Sequence, residues 1–384
     1  MNSSDRQYGV LLLSFSRHSH QRSFVPLFQA HPRIQLVAVA DDDSDIEPYL
    51  RKLNRQWARE LGIPYVEDVD DALALSGVDI VSIGHEIERR ADLCTRSARA
   101  GRHLWIDKFL GASVEECDAV TAAVAESGIC AIVPSYSYGS LVTRCHQVIQ
   151  SGSIGELMGV HVDILFGKGW PAPIPDEDRV PFTPAGRWKY PDLKRELLTV
   201  GAYSVGLLQG CFSEITEVAA HGDAFFFPVH ARRGCEDFAT VILRDRKGRT
   251  ATLCAGRSGV ATHPAGGPSE AWLVGTGATV YVDAKRPSRV QLLRDEVVGT
   301  DHRPSEDDPM QWASGGAIWT PAFSADTAGL AAGLDEFVQA LDEGRNPTFS
   351  AAQARDNMEI LLAGYRSIEI GEPVTLPLAR ETSP

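Results

Sequence analysis

The sequence predicts an α/β protein in which a doubly wound parallel sheet is followed by an α+β domain with a large, mostly antiparallel open sheet. Its 384 residues are enough for two domains. In the first part, short apolar runs alternate with helical segments, and beyond about residue 150 apolar and polar residues alternate along the strands. The predicted domains span 1–134 and 135–370, and a tail, 371–384, returns to the first domain.

The first domain is predicted from five apolar runs that are bounded by turn residues. They place strands at 8–14, 35–40, 78–83, 103–106 and 131–134. Helical segments lie between the strands, at 23–30, 45–61, 89–100 and 113–127. Strands joined by helices of this size form a parallel sheet that is covered on both faces. Right-handed crossovers then favour the doubly wound arrangement, that of a Rossmann dinucleotide-binding domain.

The second domain is predicted from strands with one apolar face. The alternation is found at 159–166, 216–221, 238–245, 249–255, 271–274 and 279–283. Amphipathic helices follow at 330–342 and 351–370. Two polar, proline- and glycine-containing segments, 167–187 and 299–326, are expected to be long loops.

Composition and charge exclude several function classes. The formal net charge of −14 argues against a nucleic-acid surface. The sequence has no apolar stretch of the roughly 18–20 residues that a membrane span needs. Its seven cysteines are scattered and include no Cys-x-x-Cys pair, which indicates a reduced, cytoplasmic protein. The spacing of His221, His230 and Cys235 fits no compact metal site, so no metal is expected.

The segment after the first predicted strand lies where a dinucleotide fold has Gly-x-Gly-x-x-Gly. Serine replaces each expected glycine, at Ser14, Ser16 and Ser19. The segment still joins a strand to a helix N-terminus, where backbone N–H groups bind phosphate, and Arg17 and His18 add charge. The alternative is an ordinary serine-rich cap of the helix.

An acidic residue closes the second predicted strand. Asp41 lies where dinucleotide folds place a carboxylate on the adenosine ribose. A 2′-phosphate would meet like charge there, so NAD is favoured over NADP as the cofactor. The alternative is that residues 41–43 simply begin a helix, where acids are favourable. His85, at the end of the third predicted strand, is expected to border the cofactor crevice.

Four segments together resemble one family. They are AGRHLWIDKF at 100–109, SGSIGEL at 151–157, WLVGTGATVYV at 272–282 and YRSIEIGEPVTL at 365–376. In this order and spacing they resemble motifs of the glucose–fructose oxidoreductase/inositol dehydrogenase (Gfo/Idh/MocA) family. The resemblance runs from about residue 8 to residue 377. It implies an NAD-dependent oxidoreductase that acts on a sugar, a polyol or a related cyclic substrate.

The resemblance also implies the catalytic residues. In the family, the Lys of Glu-Lys-Pro lies beside the nicotinamide ring and helps to move the substrate's proton. Lys108 matches that Lys, while Asp107 replaces the Glu and is expected at the cofactor. A second family signature, Asp-x-Gly-x-His, matches Thr199-Val-Gly-Ala-Tyr203, so Tyr203 is the second predicted proton-transfer residue and Thr199 borders the substrate. Packing alone would also explain a buried tyrosine.

The predicted substrate pocket is aromatic and basic. Tyr136, Arg187, Trp188 and Lys189 match pocket positions of the family. Aromatic faces stack on sugars and basic groups bind acids, which suits a polyhydroxylated or carboxylated substrate. The charged trio 194–196 replaces small residues of the family and is expected to change the pocket.

Two other functions and one assembly follow from the resemblance. The chain could keep its NAD bound for a redox-neutral cleavage or epimerisation, or it could be a non-catalytic sensor or scaffold, since several motif residues are replaced. Family members pair their open sheets, so a homodimer or homotetramer through the second domain is expected.

Overall fold

The computed structural model describes residues 6–16, 19–134, 140–166, 171–183, 189–190, 193–212, 214–257, 269–283, 290–293 and 320–379. The chain divides into two units. The first comprises Met1–Ser135 with Leu330–Met358, and the second comprises Tyr136–Gly329 with Glu359–Pro384. The first unit therefore includes a helical segment from near the end of the chain, which the sequence-based boundary at residue 134 leaves in the second domain.

The first unit contains a parallel sheet with strand order β3-β2-β1-β4-β5-β6, as predicted. Its strands are β1 (Tyr8–Leu13), β2 (Ile34–Ala40), β3 (Tyr65–Val66), β4 (Ile80–Ile83), β5 (His103–Ile106) and β6 (Ala131–Ile132). β1 and β4 are buried along their whole length, which explains their unbroken apolar sequences. The order reverses between β1 and β4, and in such sheets ligands bind where the order reverses.

Helices flank the strands of this sheet. They are α1 (Gln21–Ala30), α2 (Pro48–Leu61), α3 (Val69–Leu73), α4 (Ile87–Arg99) and α5 (Val114–Ser127). Ser113 caps α5 by accepting a hydrogen bond from the backbone of Glu116, and glycine in the left-handed conformation ends it at Gly128. Because α2 begins at Pro48, the acids at 41–43 do not begin a helix.

The second unit contains an eight-stranded sheet with strand order β15-β14-β13-β7-β12-β11-β10-β16. Its strands are β7 (Leu157–Phe166), β10 (Ile215–Asp223), β11 (Phe238–Asp245), β12 (Thr250–Arg257), β13 (Ser269–Gly275), β14 (Thr279–Asp283), β15 (Val290–Leu293) and β16 (Val374–Thr375). Only the β7–β12 pair within this sheet is parallel, which agrees with the prediction of a mostly antiparallel sheet. A short hairpin, β8 (Lys189–Tyr190) with β9 (Leu193–Lys194), stands apart from it.

The long helix α7 (Glu196–Cys211) lies close to this sheet. A Cβ added at Gly201 would lie 3.5 Å from the Cβ of Ala255 on β12, which is ordinary van der Waals contact, and 2.9 Å from Leu197 Cδ1, so the end of that leucine side chain would have to shift. The remaining helices of the described residues are α6 (Ser140–Gln150), α8 (Pro228–Ala231), α9 (Thr320–Glu343) and α10 (Ala351–Ile370), with a 3₁₀ turn at Asp176–Asp178.

Two expectations for the C-terminal part need correction. Residues 320–326 belong to α9 rather than to a loop that ends at 326, since the helix begins at Thr320. The tail pairs within the second unit, because Val374 and Thr375 of β16 lie opposite Val218 and Glu217 of β10. The sequence alone had suggested that the tail returns to the first domain.

Candidate active site

The first residue of the serine loop, Ser14, has the backbone conformation that glycine favours. Ser14 follows β1 with a φ of +64°, the left-handed region that glycine favours. Its side chain is fully buried, and its hydroxyl has no hydrogen-bond partner among the residues that the structure describes. Such an unsatisfied buried hydroxyl costs free energy unless a ligand or water fills the need. The first glycine position is therefore replaced in chemistry but not in conformation.

The other two described serines of the loop are already engaged. The hydroxyl of Ser16 donates to the carboxylate of Glu86, which precedes α4. The backbone oxygen of Ser16 accepts hydrogen bonds from the backbone of Ser19, at 3.1 Å, and from its hydroxyl, at 3.0 Å. Arg17 and His18 lie outside the described residues. These internal bonds hold the loop ahead of α1 without any glycine.

Asn54 joins the serine loop to the acidic end of β2. Its amide oxygen accepts from the backbone of Phe15 at 2.8 Å, and its amide nitrogen donates to Asp41 at 3.0 Å. Asn54 is completely buried on α2, and sequence reasoning missed it. Its burial among charged residues of an amphipathic helix is a signal that could have drawn attention to it. Nearby, Phe15 stacks on Trp57 with ring centroids 4.8 Å apart.

Asp41 and His85 lie together, beyond the ends of β2 and β4. The His85 Nε2 atom is 3.7 Å from an Asp41 carboxylate oxygen, and both side chains are buried. Burial lowers the pKa of His85, against the raising effect of the Asp41 charge. Arg89 also lies 3.7 Å from Asp41 and donates to Asp42 at 2.6 Å. The acids after β2 are thus held in place by a network of positive charge.

Asp107 follows β5 and links the serine loop to Lys108. Its carboxylate accepts from the backbone of His20 at 2.8 Å, pairs with Nδ1 of His20 at 2.8 Å and accepts from the backbone of Lys108 at 2.8 Å. Arg90 approaches to 3.9 Å. Burial by itself would raise the pKa of Asp107, but the charge and hydrogen bonds of His20, with the charge of Arg90, hold it well below its usual range.

Lys108 is a buried lysine at the carboxyl end of β5. Its side chain reaches over the ring of Phe109, with Nζ 4.9 Å from the ring centroid, and the peptide bond between the two residues is cis. Only 8% of Lys108 is exposed.

Thr199 and Tyr203 lie one helical turn apart on α7, so they share one face of that helix. Thr199 is buried and Tyr203 is partly exposed. Both belong to the second unit, and Gly201 lies between them. The other predicted pocket residues, Tyr136, Arg187 and Trp188, lie outside the described residues, as does the side chain of Lys189.

The charged residues before Thr199 do not border an open pocket. Arg195 and Glu196 are both fully buried. Arg195 donates to the backbone oxygen of Thr183 at 2.7 Å and lies 3.7 Å from the carboxylate of Glu236. Glu196 pairs with Arg257 at 2.9 Å. The expectation that this trio reshapes the pocket is therefore wrong for these two residues, which point into the interior.

A buried acid and a tyrosine cap α7 from outside. Glu236 accepts a hydrogen bond from the backbone of Leu197 at 3.0 Å and another from the hydroxyl of Tyr365. The same hydroxyl accepts from the backbone of Leu198 at 3.1 Å. Arg195, at the N-cap position, makes no side-chain capping bond. Glu236 and Tyr365 instead accept hydrogen bonds from N–H groups of the first turn of α7. Burial raises the pKa of Glu236, although Arg195 opposes the shift.

The described residues contain neither a candidate metal-binding cluster nor a candidate membrane-spanning helix. No group of three or more His, Cys, Asp or Glu residues is arranged to hold a metal ion there. Within the same residues, no helix has both the length and the apolar character that a membrane crossing requires.

Comparison with known families decides the identity. Residues 17–135 match the family profile of oxidoreductases with an NAD-binding Rossmann fold, and residues 142–281 match the GFO/IDH/MocA C-terminal domain. The chain belongs to the GFO/IDH/MocA family. It is accordingly an NAD-dependent oxidoreductase with an NAD-binding Rossmann domain.

Relatives of known name match along almost the whole chain. The scyllo-inositol 2-dehydrogenase (NAD(+)) of Bacillus subtilis is 24% identical over 353 residues, which are 91% of each chain. Among solved structures, the WlbA dehydrogenase of Bordetella pertussis, in complex with NADH and UDP-GlcNAcA, gives a TM-score of 0.72 at 19% identity and covers 98% of this chain and 99% of its own. A myo-inositol dehydrogenase from Corynebacterium glutamicum also gives 0.72, at 18% identity over 97% and 100% of the chains.

The residues of the first unit fit an NAD site. Ser14, after β1, has a left-handed backbone and a buried hydroxyl without a hydrogen-bond partner among the described residues, and the N-terminus of α1 follows the loop. These are the elements that receive a pyrophosphate in such folds. Asp41, at the end of β2, supplies the carboxylate that suits a ribose diol.

Proposed function

We propose that this protein is a dehydrogenase that oxidises a carbinol carbon of a sugar, polyol or related cyclic substrate, with Lys108 and Tyr203 in proton transfer. The observation that carries the proposal is the placement of Lys108. It is buried at the end of β5, and its backbone is fixed by the carboxylate that also binds His20 of the serine loop. The names of the inositol dehydrogenases that match this chain support the substrate class.

The chain's own residues account for the proton. Bound NAD would supply a hydride acceptor for the substrate carbon, and the carbinol must release its hydroxyl proton. The amine of Lys108, in its neutral form, accepts that proton. A phenol with an ordinary pKa of about 10 is a poor base. Tyr203 therefore acts as the donor in the reduction direction.

The test is a comparison of Lys108→Met with the exposed Lys52→Met on α2. Each variant and the wild type are assayed with NAD against cyclic polyols and sugars, and NAD binding is measured by calorimetry. We expect turnover of Lys108→Met to fall by about 100-fold to 10,000-fold with NAD affinity kept, and Lys52→Met to match the wild type. Full turnover in Lys108→Met would exclude its role. A substrate consumed by the wild type without net NADH formation would favour the redox-neutral reaction.

We also propose that the open face of the second sheet pairs with a second copy of the chain. Trp272, Ile242 and Met158 are 39%, 49% and 45% exposed. Trp272 of β13 and Ile242 of β11 lie in one row across the strands, with His161 and Thr252 between them. Exposed apolar side chains on one face mark a protein interface. Light scattering should show that the wild type is a dimer or tetramer and that Trp272→Glu dissociates it. Val229 is exposed elsewhere, so Val229→Glu should leave the oligomer intact. A monomeric wild type would contradict this proposal.

We place the protein in a reducing, cytoplasmic setting. All seven of its cysteines are free, and five of them are buried. Disulfides are rare in that compartment.

A further inference from the structure

The serines of the nucleotide loop leave a gap in its chemistry. In a glycine loop, the backbone approaches the pyrophosphate closely and its N–H groups supply the donors. Here the hydroxyls of Ser16 and Ser19 are spent on Glu86 and on the loop's own backbone. The backbone N–H of His20, at the N-cap of α1, is spent on Asp107. Among the described residues here, the hydroxyl of Ser14 has no hydrogen-bond partner and the ring of His20 is partly exposed, so both can still contact a dinucleotide.

The side chain of His20 is placed to donate a hydrogen bond to a ligand. Its Nδ1 lies 2.8 Å from an Asp107 oxygen, which fixes the ring and leaves Nε2 as the other ring nitrogen. The side chain is 42% exposed, so the ring can reach a ligand, whereas Asp107 is 1% exposed. A carboxylate that holds one ring nitrogen orients a histidine and stabilises its charged form. The low pKa of Asp107 keeps that carboxylate anionic.

We propose that His20, held by Asp107, is the cationic contact of the cofactor's pyrophosphate and takes the place of the missing glycine contacts. This inference rests on the proposed NAD-dependent function. A protonated imidazole gives a charge-assisted hydrogen bond to a phosphate oxygen, at a helix N-terminus that already favours anions. Asp107 thereby serves both halves of the site, since the same carboxylate fixes the backbone of Lys108.

Two substitutions separate the ring's two nitrogens. His20→Asn keeps a donor near the position of Nδ1, and thus the bond to Asp107, but removes Nε2 and the charge. His20→Gln places a neutral donor near the position of Nε2. Glu60→Gln is the control, because Glu60 is an exposed ionisable residue of α2 in the first unit whose carboxylate also has a side-chain partner, Gln56 at 2.7 Å.

Calorimetry with NAD and with ADP-ribose tests the proposal. We expect His20→Asn to weaken the binding of both ligands by about tenfold to 100-fold. His20→Gln, which keeps a donor near the position of Nε2, should lose less affinity, and Glu60→Gln should behave as wild type.

Three results would overturn the proposal. Wild-type affinity of His20→Asn for both ligands would show that the ring does not contact the ligand. A loss with NAD but not with ADP-ribose would place His20 at the nicotinamide instead. A wild type that binds neither ligand would overturn the proposed function as well, which distinguishes the two failures.

Discussion

Two buried carboxylates, one in each unit, are treated in opposite ways. Asp107 is 1% exposed and Glu236 is 0% exposed, and each has an arginine nearby, at 3.9 Å and 3.7 Å. Yet the pKa of Asp107 lies well below its usual range, whereas burial raises the pKa of Glu236. Equal burial and similar ion pairs therefore do not decide the charge of a buried acid.

The donors explain the difference. Asp107 faces the ring and backbone of His20 as well as the backbone of Lys108. Glu236 receives one backbone N–H and one neutral hydroxyl. At Asp107 the charge and hydrogen bonds of His20, with the charge of Arg90, outweigh the cost of burial, whereas at Glu236 the charge of Arg195 and the hydrogen bonds do not. The first acid is kept anionic beside a site for a charged cofactor, while the second stabilises a helix.

Replacing Glu236 should give the largest effect on stability. Glu236→Ala leaves the buried Arg195, the N–H of Leu197 and the hydroxyl of Tyr365 without this partner, so the free energy of unfolding should fall by about 3–5 kcal/mol. Chemical denaturation measures it, with the exposed Glu214→Ala as control. A loss as small as that of the control would mean that the buried cluster does not stabilise α7.

Its pH dependence sharpens the same comparison. Because the pKa of Glu236 is raised in the folded state, its contribution to stability is full below the unfolded pKa of about 4.5 and declines as the pH rises through the folded value. In Glu236→Gln that decline should be absent. The free energy of unfolding of the variant should therefore rise relative to that of the wild type as the pH increases. Parallel curves would contradict the raised pKa.

Asp107→Asn should have a smaller effect and the opposite sign with pH. The lowered pKa means that Asp107 stabilises the fold above its unfolded pKa of about 3.8 and loses this contribution as the pH falls. We expect a loss of about 1–3 kcal/mol at neutral pH, which shrinks in acid. The exposed Asp92→Asn serves as control. A constant difference across the acid range would show that Asp107 is not held ionised.

Asp41→Asn should change selectivity more than stability. Removing the charge at the end of β2 should narrow the preference for NAD over NADP by about tenfold or less, measured as the ratio of the two dissociation constants. Asp45→Asn, on an exposed residue nearby, should leave the ratio unchanged. An unchanged ratio in Asp41→Asn would mean that other residues select the cofactor.

Much of the fold followed from local patterns. The buried strand β4 and the half-buried strand β11 differ in periodicity, and that difference alone separates the parallel from the antiparallel sheet. The two-residue strands β3 and β16 carry too short a pattern to be recognised. The helical start of α9 falls in a polar, proline-containing stretch, where sequence signals favour a loop.

Strand ends are visible in the sequence, and Lys108, Asp41 and His85 lie just beyond the ends of β5, β2 and β4 in the structure. Their contacts could not be predicted. The partners that give them their chemistry lie far along the chain: Asn54 bonds Phe15 across 39 residues, and His20 bonds Asp107 across 87. No spacing rule reveals such pairs, since the sheet order brings them together.

The most direct test is a calorimetric titration of the wild-type protein with NAD, NADH, NADP and NADPH. The central claim is that a serine loop, whose first residue Ser14 has the left-handed φ typical of glycine, still binds a dinucleotide. We expect NAD or NADH to bind with a dissociation constant of about 1 μM, which is about 8 kcal/mol of binding free energy, and the 2′-phosphorylated forms to bind more weakly. Failure of all four to bind, with no nucleotide released on denaturation, would contradict it.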